Sequence, residues 1–90
     1  MSVQVHLPTI MRTLTEDQKT VVVSGTSIQE VIHDLERHFP GMQGRLMQDG
    51  QLHRFVNIYL NDDDIRFQQG LASPVKPGDA ITILPAVAGG

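Results

Sequence analysis

Val3, Val5 and Leu7 alternate with Gln4 and His6, a period of two that predicts a half-buried strand over residues 3–8. Residues 9–17 read as a polar connection into which Ile10, Met11 and Leu14 tuck. The β-branched run over residues 19–24 predicts a second strand, which Gly25 interrupts. Ser27 followed three residues later by Glu30 has the form of a capping box, so a helix should begin near Ile28. Ile28, Val31, Ile32, Leu35 and Phe39 then form one continuous apolar stripe. Glu30, Asp34, Glu36 and Arg37 fall elsewhere around the helix, and Pro40-Gly41 stops it.

Residues 42–47 suit one short turn, and Gln48-Asp49-Gly50 a loop. Residues 52–61 read as a long strand with Val56, Ile58 and Leu60 on one face. Asn61-Asp62-Asp63-Asp64 has turn composition, and Ile65-Arg66-Phe67 is expected to return as a short strand. Gly70, Pro74, Pro77 and Gly78 keep residues 68–79 irregular. The last strand covers residues 80–84 with Ile81 and Ile83 inward, and Pro85 ends it.

Two strands, one main helix and three further strands make an α+β order. One helix covers only one face of a sheet. The arrangement predicted is the β-grasp (ubiquitin-like) fold: a mixed four- to five-stranded sheet packed on the helix, its first and last strands side by side in the middle. Residues 1–85 form that domain, and residues 86–90 leave it as a flexible C-terminal tail.

Ninety residues make one domain with a modest core. At 40% hydrophobic and 19% charged the chain is built to fold, and with 4% aromatic residues Val, Ile and Leu must fill the core. A net charge of −3 with scattered Lys and Arg argues against nucleic acid and suits a positively charged protein partner. The absence of cysteine excludes disulfides, thiolate metal sites, thiol nucleophiles and cysteine persulfides. No apolar run approaches the ~18 residues of a membrane span, and the start lacks the regions of a signal peptide, so no membrane role and a cytoplasmic location are expected.

The ending Ala86-Val87-Ala88-Gly89-Gly90 carries the chemistry. Five residues reach at most about 16–18 Å when stretched. Gly89 and Gly90 lack Cβ atoms, so this backbone can thread a narrow channel and present a bare Gly90 carboxylate. A carboxylate is a poor electrophile, but a partner that adenylates it creates a good leaving group. Sulfide can then displace AMP and leave a C-terminal thiocarboxylate, a tethered sulfur nucleophile held at high effective concentration in a second active site. Small terminal residues by themselves commonly fray. Their placement after a strand and a proline, in β-grasp order, turns the reading toward function.

The ending from Ile83 to Gly90 resembles that of the small sulfur carriers of thiamine and molybdopterin synthesis, the ThiS/MoaD family. The segments Val5-His6-Leu7-Pro8-Thr9-Ile10-Met11-Arg12 and His53-Arg54-Phe55-Val56-Asn57-Ile58-Tyr59-Leu60, with the Asn61-Asp62-Asp63-Asp64-Ile65-Arg66-Phe67 that follows, are most similar to the branch serving cysteine biosynthesis. The resemblance runs over essentially the whole chain. It implies a carrier and not an enzyme, with no bound cofactor. An adenylating and sulfur-transferring enzyme would use ATP to charge Gly90. A PLP-dependent cysteine synthase would consume the thiocarboxylate with an activated serine such as O-phosphoserine. An acyl shift would leave cysteine amide-linked to Gly90, for release by a zinc peptidase. Gly90 is then the adenylation and thiocarboxylate site, and Gly89, Ala88, Val87 and Ala86 the inserting stalk.

Strand parity adds a candidate docking surface. If Val56, Ile58 and Leu60 face the helix, Phe55 and Tyr59 face away, as does Leu84 on the last strand. Phe55, Tyr59 and Leu84 would form an apolar patch near the tail root, unless residues 9–14 cover it. Other constellations have plainer readings. His33 and His38 are five apart on the helix and diverge, while His6 and His53 lack ligand spacing, so no metal site is expected. Asp62, Asp63 and Asp64 suit a solvated turn. No nucleophile–base set marks an independent active site. The competing readings are the small subunit of molybdopterin synthase, a ubiquitin-like modifier that forms isopeptide bonds, and a β-grasp interaction module with an inert tail.

Overall fold

The computed structural model describes residues 2–54 and 56–85. Its main sheet contains β1 (Val3–His6), β2 (Thr20–Val23), β5 (Val56–Leu60), β6 (Asp63–Asp64) and β7 (Ala80–Pro85). Two helices, α1 (Ile28–His38) and α2 (Met42–Leu46), lie between β2 and β5, together with a small hairpin of β3 (Met47–Gln48) and β4 (Gln51–Leu52). The strand order is β2-β1-β7-β5-β6. Strand β1 runs parallel to β7, and the other neighbours in this sheet are antiparallel. The sheet is mixed, with first and last strands adjacent, as the order of elements predicts.

The α1 stripe explains the packing. Ile28, Val31, Ile32 and Leu35 are all buried, and Phe39 is half-buried as the C-terminal cap. They meet Val3, Val5, Val21, Val23, Val56, Ile58, Ile81 and Ile83 from one face of the sheet. Capping follows the predicted residues with one difference. Ser27 Oγ accepts a hydrogen bond from the Glu30 amide at 3.2 Å. The Glu30 carboxylate reaches one residue further back, accepting from the amide and hydroxyl of Thr26, each at 2.9 Å. Those bonds, the amide's first, hold the Glu30 carboxyl below its ordinary range. Gly25 is needed where the helix start presses on the strand end: a Cβ there would stand 2.8 Å from the Val31 backbone nitrogen.

Three expectations are corrected. Residues 52–61 do not form one strand, because Leu52 belongs to the β3–β4 hairpin and β5 begins at Val56. Asp49 and Gly50 connect that hairpin with φ of 54° and 77°, the positive values that a two-residue turn of this hand requires. Ile65–Phe67 is a 3-10 turn, and the return strand is Asp63–Asp64. The Arg66 guanidinium takes the place of further ladder pairing, donating to the Val56 carbonyl at 2.8 Å. The segment Thr9–Thr15 folds as 3-10 helix, with Met11 buried and Leu14 packed against the core, whereas Ile10 points outward at 60% exposure.

Candidate functional site

The chemistry predicted for this chain leaves through the end of β7, so the surroundings of Pro85 form the site. Strand β7 is the middle strand, gripped by β1 on one side and β5 on the other. Its register with β5 pairs Val56 with Pro85, Asn57 with Leu84 and Tyr59 with Thr82. Leu7 donates its amide to the Lys19 carbonyl at 2.8 Å, which closes β1 against β2 at the same end of the sheet. A peptide leaving at Pro85 therefore starts from a held central strand. Ala86, Val87, Ala88, Gly89 and Gly90 lie outside the described residues, as does Phe55.

Tyr59 and Leu84 both stand on the face of the sheet away from α1. Parity demands it, since Val56, Ile58, Leu60, Ile81 and Ile83 are buried on the other face. Tyr59 is half-buried and Leu84 is 44% exposed. Because Tyr59 opposes Thr82, Leu84 is its diagonal neighbour, within reach of a large side chain. The structure thus brings these two predicted residues together beside the tail root.

The open face is wider than the predicted patch. His6 also aligns with Thr82, from the β1 side, and its Nδ1 lies 3.0 Å from the Thr20 hydroxyl. Val22 on β2 is 60% exposed between the buried Val21 and Val23. The parity argument applied to β2 would have revealed it. Residues 9–14 leave Leu84 exposed. Ile10, Thr9 and Pro8 instead line one side of a groove whose other side is Thr82, Leu84 and Pro85, with Arg12 and His6 completing it. A second recess joins Ile10, Met11, Gly44, Arg45, His53 and Val56 to Pro85. Ile10 and Pro85 are common to both, so the tail root sits on an apolar ridge between two depressions. By sequence alone Ile10 is tucked into the fold, because its segment lacks clean periodicity, and Pro85 has only the role of ending the last strand.

The four histidines do not converge, and among the described residues no group of three or more His, Cys, Asp or Glu is placed to hold a metal ion. Among the described residues no helix is long and apolar enough to cross a membrane. Asp63 and Asp64 form the short β6, and Asp64 caps the following turn by accepting from the Arg66 amide at 2.9 Å.

Comparison with known proteins agrees with this fold. The sulfur carrier protein CysO of Mycobacterium tuberculosis is 54% identical over 93 aligned residues, covering 100% of both chains. A chain of the crystallised Amycolatopsis orientalis BexX/CysO complex superimposes with a TM-score of 0.93 at 50% identity, covering 98% of this chain and 99% of that one. More distantly, small archaeal modifier protein 3 of Haloferax volcanii is 34% identical over 64 residues, 71% of this chain and 70% of its own. The model of the ThiS family matches residues 5–90, through the last glycine. The chain belongs to the ThiS family.

Proposed function

We propose that this protein is a sulfur carrier for cysteine biosynthesis that works through its own C-terminus and not as an enzyme. The observation that carries the reading is the full-length 54% identity to a sulfur carrier, CysO, combined with a family match that reaches Gly90. In this reading the Gly90 carboxylate attacks the α-phosphate of ATP in an adenylating enzyme, releasing pyrophosphate. Sulfide attacks the acyl-adenylate carbonyl, AMP leaves, and the thiocarboxylate remains. Its sulfur then displaces phosphate from the β-carbon of O-phosphoserine in a PLP-dependent synthase. The resulting thioester passes its acyl group to the neighbouring amine, and a zinc peptidase hydrolyses the amide to free cysteine. ATP and PLP belong to the partners. The expected setting is the cytoplasm.

A carrier of this kind needs a docking face, and Tyr59 and Leu84, with Phe55, are our candidates. The crystallised complex of a similar chain with BexX supports a protein that acts by binding another. Tyr59→Asp and Leu84→Asp substitutions should leave the fold intact, since both side chains lie off the core. Each should raise the KM of the carrier for its charging enzyme by about tenfold or more, given that burying an unpaired charge at an interface costs several kcal/mol. Normal charging by both folded variants would remove this face from the account.

The function itself is tested by reconstitution. Purified carrier, ATP, sulfide and the adenylating enzyme of the same organism should release pyrophosphate and AMP in proportion to carrier consumed. Adding the synthase and O-phosphoserine should then yield a carrier adduct bearing cysteine. The likeness to a small archaeal modifier favours one second reading, a protein modifier. Recovery of Gly90 joined to lysine side chains, with no thiocarboxylate, would establish that alternative.

A further inference from the structure

Three arginines from three separate connections gather where β7 ends. Arg12, from the 3-10 segment after β1, lines the groove beside Leu84 and Pro85. It is anchored there, its Nε donating to the Leu7 carbonyl at 3.3 Å. Arg45, from α2, lines the adjoining recess with Val56 and Pro85. Arg66, from the turn after β6, donates its Nη2 to the carbonyl of Val56, the residue in register with Pro85. Arg45 and Arg66 are exposed, and Arg12 is half-buried.

Among the described residues the ion pairs are Arg37 with Asp34 and His38 with Asp34, and none of the three arginines joins one. Glu36, the acidic residue that precedes α2, is already engaged by the amides of Gly41 and Gln43. Glu16 and Asp17 follow the 3-10 segment at this same end, their amides bonded to the Arg12 carbonyl, and the Asp64 carboxylate accepts from the Arg66 amide. Among the described residues none of these carboxylates forms an ion pair with the arginines. The opposite end of the sheet carries carboxylates of its own. Asp62 and Asp63 sit at the β5–β6 turn, and Asp79 immediately precedes β7. Neither depression beside Pro85 is lined by a carboxylate, so in a protein of net charge −3 the root of the tail is flanked by arginines.

We propose that Arg12, Arg45 and Arg66 form a basic collar that docks on an acidic protein rim at the mouth of the activating enzyme's tail channel. The inference rests on the carrier reading above and specifies the partner's chemistry. The collar is assigned no role at the reacting atoms, because a tail threaded fully extended into a partner's channel can carry Gly90 up to about 16–18 Å beyond Pro85. For the same reason it is assigned no role at nucleotide phosphates in the partner's active site. What lies within reach is the surface around the channel entrance. An acidic rim there would repel the Asp62–Asp63–Asp79 end and attract the collar, turning the carrier tail-first during encounter. Rim charges of this kind act on association and its salt dependence, leaving the chemical step alone.

The test is steady-state adenylation by the organism's own activating enzyme, with full-length carrier as the varied substrate. Arg45→Glu and the double variant Arg12→Glu/Arg45→Glu are compared with Lys76→Glu, which matches the charge change of Arg45→Glu at the other end. The double variant should raise KM about tenfold in 0.1 M salt with kcat unchanged. That difference should largely vanish in 1 M salt, where the screening length falls from about 10 Å to about 3 Å. Lys76→Glu should behave as wild type. Arg45→Glu alone carries the test if loss of the Arg12 bond to Leu7 lowers the thermal midpoint. An unchanged KM, an effect indifferent to salt, or an equal effect of Lys76→Glu would overturn the collar. So would wild-type self-association that the arginine substitutions abolish, because the collar would then be meeting the acidic end of a second copy. If wild-type carrier shows no turnover at all, the carrier reading fails and takes this inference with it. Normal turnover without an arginine effect rejects the collar alone.

Discussion

Adding one residue after Gly90 abolishes sulfur delivery and leaves the thermal midpoint of the fold unchanged. The expectation follows from geometry. An added residue carries the terminal carboxylate about 3.3–3.6 Å further along the chain. Misplacement of a reacting group by as little as 1 Å is enough to cost about a hundredfold in rate. An added alanine also brings a Cβ to a terminus whose last two residues, Gly89 and Gly90, have none. The fold is unaffected because the described core ends before Pro85, with Ile83 the last buried residue of β7. Pyrophosphate release by the activating enzyme should drop to background for the extended protein, even at saturating concentration. Untrimmed extended carrier that still supports cysteine formation would defeat the prediction.

Leu35→Ala is expected to have the largest effect on stability. Leu35 is 0% exposed and sits on the α1 stripe against the sheet core. Truncating a buried leucine removes its transfer energy and leaves a cavity, together about 2–5 kcal/mol. For a domain of this size, 1 kcal/mol corresponds to roughly 4–8 °C, so the thermal midpoint should fall by about ten degrees or more. Ile10→Ala deletes a comparable side chain from a site that is 60% exposed, and should shift stability by no more than about 0.5 kcal/mol. Calorimetry of the two variants separates burial from hydrophobicity. Equal losses would mean that the Ile10 ridge belongs to the core.

How much of this was legible beforehand depends on where the determining contacts lie along the chain. Helix α1 was readable because its stripe and its cap are local. Ser27, Ile28, Val31, Ile32 and Leu35 lie within nine consecutive positions and share one face. The adjacency of β1 and β7 followed from topology, since one helix leaves few ways to pair the strands. The division between Leu52 and Val56 was missed because an apolar–polar run looks alike in a hairpin arm and in a sheet strand. The Asp49-Gly50 dipeptide was the available signal, a strong one for a two-residue hairpin, and reading it as a mere loop lost the break. Ile65–Phe67 misled in the same way. One buried side chain, Ile65, suffices to hold the turn, and Phe67 is left 89% exposed. The collar was not legible at all. Arg12, Arg45 and Arg66 are scattered in sequence, and only the meeting of β1, β5 and β7 at one end of the sheet brings them around Pro85. Candidate tail chemistry is thus a property of the last residues, whereas the surface that presents the tail is a property of the fold.

The central claim concerns one functional group, and fragmentation mass spectrometry of the intact protein isolated from its own cells examines it directly. The account predicts a population heavier by the difference between one sulfur and one oxygen atom, with the added mass confined to the fragment ending at Gly90. Sulfur found on any other residue, or a terminus that stays an ordinary carboxylate in cells actively making cysteine by this route, would contradict it.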